Sequence, residues 1–155
     1  MTKSAQNLDT SIHGIRLCFN QLKALGDVLH HDLGVTASMR AVMESLAETG
    51  AQTVPQIARS KEVSRQHIQI IVDDLIELGI VDLQANPQHK RSHLVVLTVQ
   101  GRAIYEDMRN REKAVLKRLG STLAPEALDA LSSALAQLNE RLRRELAAIR
   151  ADDIK

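Results

Sequence analysis

The stretch "SRQHIQ", residues 64–69, gathers Ser64, Arg65, Gln66, His67 and Gln69 into the opening turns of one helix. Each can donate to a phosphate oxygen or a base edge, and Arg and Gln have the bidentate geometry that guanine and adenine offer in the major groove. Ile70 follows, an apolar group that can touch a thymine methyl or pack against a neighbouring helix. Asp73, Asp74 and Glu77 occupy the far half of the same helix and would repel phosphate, so only its N-terminal turns can enter a groove. A second basic group, Lys90 and Arg91, stands in "NPQHKRSH", between apolar runs at 81–83 and 94–97 that read as the strands of a hairpin. At a hairpin tip these two reach phosphates or the adjacent minor groove, whose negative potential favours an inserted arginine. The chemistry on offer is recognition of a polyanion.

Other reactive residues give less. Of the six histidines, His30 and His31 are adjacent, and adjacent helical side chains diverge by about a hundred degrees. His89 and His93 are four apart across the hairpin, whereas a zinc site needs three or four converging ligands, so no metal is expected. There is no Gly-rich phosphate loop, nucleophile elbow or zinc-protease pattern, and neither an enzymatic reaction nor a cofactor is expected. The single cysteine, Cys18, excludes an internal disulfide framework and fits a reducing compartment. Its apolar flanks point to a packed structural thiol; the alternative, a redox-active one, requires exposure and neighbours that favour the thiolate.

These groups must be held by helices. Apolar residues Leu8, Ile12, Ile15, Phe19, Leu22 and Leu29 fall three, four or seven apart and predict a first helix from Leu8 to about His31, ended by Gly34. Thr36 caps a second helix with the stripe Met39, Val42, Met43 and Leu46, stopping at Gly50. Thr53 and Gln56 form a capping box around Pro55, with Ile57 and Ala58 facing inward. Ser64 caps the helix that carries the polar cluster; its buried stripe is Ile68, Ile71, Val72, Leu75 and Leu78, and Gly79 is its stop. After the hairpin, Thr98 caps a fifth helix through Ile104, Met108, Val115 and Leu119, whose Arg109, Arg111, Lys113, Lys117 and Arg118 read as a solvated face with intrahelical pairs such as Glu112. The segment 120–125 breaks it, and Leu128, Leu131, Leu135, Leu138, Leu142 and Ile149 form a heptad-like seam that wants a partner helix.

The totals fit one mainly α domain with a small β-hairpin. A length of 155 residues supports one core, and with Phe19 and Tyr105 the only aromatics, that core is aliphatic. A formal net charge of +1 provides no global field, so polyanion binding must come from a local patch. No run reaches the ~18 apolar residues of a membrane span and the N-terminus lacks the apolar stretch of a signal peptide, so a cytoplasmic protein without a membrane partner is expected.

Two short capped helices joined by a tight turn, then a basic hairpin, have the lengths of a helix-turn-helix with a wing. The order of elements, with "TVPQIARSKEVSRQHIQIIVDDLIELGIV" followed by "NPQHKRSHLVVLTVQG", resembles the MarR family of winged helix-turn-helix regulators over almost the entire chain. The resemblance implies a homodimer: an N-terminal dimerisation helix at 1–34, a winged DNA-binding head at 35–100 and C-terminal dimerisation helices at 101–155. It implies a repressor on a pseudo-palindromic site in duplex DNA, with Thr53, Ser64, Arg65, Gln66, His67, Gln69, Ile70, Lys90 and Arg91 as the contacts. It also implies a small-molecule effector pocket where the first and second helices meet the fifth, with His13, Leu17, Arg40 and Met43 as its lining. "LCF" around Cys18 resembles the peroxide-sensing branch of the family, although "TASMRAVMESLAETG" lacks the tyrosines that branch sets beside its thiol. The wing departs from the family pattern, since His89, Lys90 and Arg91 stand where an acid and two arginines are common. A helical adaptor that docks a protein partner through the same winged unit is the rival expectation.

Overall fold

A computed structural model describes residues 2–89 and 91–152. The elements are α1 (Lys3–Leu29), a 3-10 turn (His31–Leu33), α2 (Ala37–Thr49), α3 (Val54–Ser60), α4 (Arg65–Glu77), β1 (Val81–Gln84), β2 (Leu94–Leu97), α5 (Val99–Gly120) and α6 (Pro125–Asp152). The fold is mainly α with one antiparallel hairpin, in the winged helix-turn-helix order. The chain divides into two compact units, 1–112 and 113–155.

The core belongs to the first unit and is built by stripes of three helices. Met43 and Leu46 of α2, Ile57 of α3 and Val72 and Leu75 of α4 are sealed from solvent together with Ile80, Val95 and Met108. Each such side chain contributes about 1.5–3 kcal/mol by leaving water, so the helices are held by this face rather than by propensity. Their starts are fixed locally: Thr36 accepts from the Met39 N–H, Thr53 from the Gln56 N–H and Ser64 from the His67 N–H. Gly34, Gly50 and Gly79 take the positive φ that ends the preceding turns.

Val81, Asp82, Leu83 and Gln84 pair with Leu97, Val96, Val95 and Leu94, and Asn86 shapes the turn beyond by accepting from the Gln88 N–H through its side chain. A third extended piece joins this ribbon. Gln52 and Val95 exchange both backbone hydrogen bonds, at 3.2 and 2.8 Å, and the Gln52 side chain donates to the Ser45 carbonyl at 2.9 Å. The wing is thereby tied to the end of α2.

Three details differ from expectation. Helix α1 begins at Lys3, five residues before Leu8, because the Thr2 side chain caps it by accepting from the Ala5 N–H. Helix α1 stops at Leu29, two residues early, because a 3-10 turn takes over before Gly34. Leu78 leaves the buried stripe: α4 ends at Glu77, so Leu78 is the capping residue and turns out to 42% exposure.

The apolar seams of the terminal helices are uncovered. No residue of α1 is buried, and Phe19 is 66% exposed. In the second unit Leu131, Leu142, Leu146 and Ile149 of α6 are likewise exposed. No helix among the described residues is long and apolar enough to cross a membrane.

Candidate nucleic-acid interface

Helix α4 carries its charges against its own dipole. Stability alone places acids in the first turn and bases in the last. Here the first turn has no acid and begins with Arg65, while the last turn has no base. Asp73, Asp74 and Glu77 lie toward the negative end. Such an arrangement costs a few tenths of a kcal/mol per charge and makes sense when an external anion meets the N-terminal end, where unpaired N–H groups already favour it.

That end opens onto a cleft of about 430 Å³ between α4 and the wing. Arg65, Gln66 and Gln69 line one wall; Arg91, Ser92 and His93 line the other; Val54, Pro55, Leu83 and Val95 complete it. Among the described residues the lining holds two guanidinium groups, from separate elements, and no carboxylate. The described lining is net positive although the chain is nearly neutral.

The sequence-derived contacts divide accordingly. Arg65, Gln66, Gln69 and Arg91 are brought together on this cleft, and His67 and Ile70 are exposed on the same helix beside it, Ile70 at 56%. Ser64 is exposed but engaged as the N-cap. Thr53 is buried and held in its capping box, accepting from the Gln56 N–H and donating to Gln56 Oε1 at 3.0 Å, so it orients α3 and has no free face. Lys90 lies outside the described residues. His93, Ser92 and the apolar floor were not anticipated, because the pairing of the hairpin with α3 and α4 leaves no local trace in the sequence.

The four residues expected to line an effector pocket are not gathered. Met43 is in the head core with no exposed surface, since it falls on the stripe facing α4. His13 and Leu17 are exposed on α1. Arg40 is half-buried and grips Glu112 of α5 with both Nε and Nη2, the latter at 2.7 Å from Oε2. Cys18 is exposed and not packed, because nothing covers its face of α1 in the single chain. Among the described residues no three His, Cys, Asp or Glu converge as a metal site.

Glu112 is a hub. Arg109 reaches it at 3.6 Å, and the buried His30 sets its Nε2, which lacks a hydrogen-bond partner, 3.6 Å from Oε1. From the preceding position, Arg111 donates to Asp32 and to the Leu29 carbonyl, fastening the end of α1 to α5. Burial pushes the Glu112 carboxyl up, but the Arg40 guanidinium, with smaller contributions from His30 and Arg109, offsets it and leaves the group below its ordinary 4.5. A depressed carboxylate stabilises fully above its unfolded value and loses that contribution as pH falls through the folded value. Thermal melts from about pH 6 to pH 3 are therefore expected to show a steeper loss of stability in the wild type than in Glu112→Gln, which itself costs about 1–3 kcal/mol at neutral pH.

No protein-family model matches the sequence. A curated relative, the uncharacterised protein Rv2011c of Mycobacterium tuberculosis, is 34% identical over 131 residues, covering 84% of this chain and 86% of its own. Among solved structures, a MarR family transcription regulator, SP03579, superposes with a TM-score of 0.81 at 28% identity, covering 95% of this chain and 97% of that one. The chain belongs to the MarR family. A further MarR-fold likeness, at 21% identity and a TM-score of 0.78, is the Escherichia coli MarR mutant complexed with operator DNA, covering 88% of this chain and 99% of that one. The MarR relationship is to transcription regulators and not to enzymes.

Within the MarR frame, α3 and α4 are the helix-turn-helix and 81–97 the wing. The tight link between the two helices passes through Glu62, the one non-glycine residue at positive φ among those described. His89 is exposed where the family wing commonly has an acid.

Proposed function

We propose that this MarR-family chain is a homodimeric repressor that binds a pseudo-palindromic site in duplex DNA, each half read by the N-terminal turns of one α4. The cleft that joins Arg65, Gln66 and Gln69 to Arg91, with no carboxylate among its described lining residues, carries this reading. A helix in the major groove and a wing on the flank would present these groups to bases and phosphates together. The uncovered seam of α1, with Leu8, Ile15, Phe19 and Leu22 exposed, supports the dimer, because a soluble chain rarely leaves such a stripe to water.

Half-sites one helical turn apart, about 10 bp, follow from two reading helices on one side of a dimer. Release follows when a small-molecule ligand binds, or an oxidised form of the protein is favoured, in a dimer whose heads are wrongly spaced. The protein then acts in the cytoplasm, with access to the chromosome.

Selection of bound fragments from the source genome tests the proposal. Recovered fragments should share an inverted repeat with that spacing. No enrichment, or enrichment of an asymmetric single site, would overturn it.

A further inference from the structure

The Gln69 side chain is not a free reader. Its Nε2 donates to Asp73 Oδ1 at 2.8 Å, one turn further along α4. An ionised carboxylate only accepts, so the amide has one orientation: nitrogen toward Asp73, Oε1 turned away from it. Gln69 lines the cleft between α4 and the wing, while Asp73 is exposed on the half of the helix that carries the acids.

We infer that Asp73 is a positioning residue that fixes the base preference of Gln69. The inference rests on the DNA reading proposed above. With Oε1 presented, Gln69 accepts from a donor, and the major groove offers donors only at adenine N6 and cytosine N4. Guanine and thymine place acceptors there and are disfavoured, because Oε1 facing O6 or O4 leaves both groups unpaired and only the second Nε2–H, on the nitrogen held toward Asp73, remains to donate. An unrestrained glutamine turns its amide over and pairs with any of the four. Asp73 therefore trades general affinity, since its charge repels phosphate, for discrimination at one base pair.

The test uses the full-length protein and duplexes in which each position of its selected operator takes all four bases. Wild type should favour adenine or cytosine over guanine or thymine by about fivefold at one position per half-site, the worth of one hydrogen bond. Q69A should flatten that position and no other. D73N should flatten the same position, whereas D74N, which removes an equal charge from the same helix, should leave it intact; both should raise affinity for all sequences alike. All these side chains are exposed, and unchanged thermal melts verify that the fold is kept. A D73N profile that retains the preference, or a D74N profile that loses it equally, would overturn the inference while the DNA reading stands. Binding that is indifferent to base sequence at every position would overturn both.

Discussion

Replacing Arg65 and Arg91 together with alanine should lower affinity for the selected operator about a thousandfold and leave the fold and oligomeric state unchanged. Each contact to a phosphate or a base edge is worth about 1–3 kcal/mol, and the proposed dimer carries two copies of each arginine, so even the low end sums to about 4 kcal/mol. Both side chains are exposed on the cleft wall and neither belongs to the core. Arg65 also opposes the α4 dipole, so its removal should stabilise the free protein slightly, by a few tenths of a kcal/mol. Fluorescence anisotropy on the operator duplex gives the affinity, and sedimentation gives the oligomeric state. An affinity within a few-fold of wild type would show that the cleft is not the interface.

The second large effect concerns stability, at Gly101. Helix α5 starts against the end of the reading helix: Thr98 donates from Oγ1 to the Gly79 carbonyl at 2.8 Å and from its N–H to the Ile80 carbonyl at 3.0 Å, and accepts from the Gly101 N–H at 2.9 Å. A Cβ on Gly101 would stand 1.9 Å from the Ile80 carbonyl oxygen and 2.9 Å from its carbon. Both are backbone atoms beneath a sealed side chain, so neither can swing aside. Gly101→Ala is therefore expected to cost about 3 kcal/mol or more, because a close-packed site yields only by moving backbone. The same substitution at Gly14 or Gly26, within α1 and with open space around the added carbon, should be neutral or stabilising by up to about 1 kcal/mol. Denaturant unfolding of the three variants separates these outcomes.

The elements were legible because their determinants are local. Thr36, Thr53, Ser64 and Thr98 each announce a helix start within three residues, and each caps its helix in the structure. The stripes of α2, α3 and α4 were legible for the same reason, periodicity being a property of neighbours on one face. What failed depends on pairs far apart in sequence. Arg40 and Glu112 are 72 residues apart, and Glu112 was expected to serve only its own helix; Arg40 was expected on a pocket wall and is clamped instead. Met43 cannot be told from a pocket residue by its stripe, since the stripe gives the buried face and not what it packs against. Cys18 sits among apolar residues and was read as packed, but a stripe is covered only when a partner surface exists. Of the site, the polar cluster of α4 and the arginine of the wing were readable; their meeting across one cleft was not, because it requires the register of β1 with β2 and the bridge from Gln52 to Val95.

The central claim is that this cleft binds the phosphate backbone while it reads bases, and its most direct test is the salt dependence of operator affinity. Four guanidinium groups in the proposed dimer, Arg65 and Arg91 from each protomer, should release enough counterions to give log K against log salt a slope of about −3.6 or steeper. The Arg65→Ala, Arg91→Ala double variant should flatten it by about that amount. A wild-type affinity that does not fall as salt is raised would contradict the account.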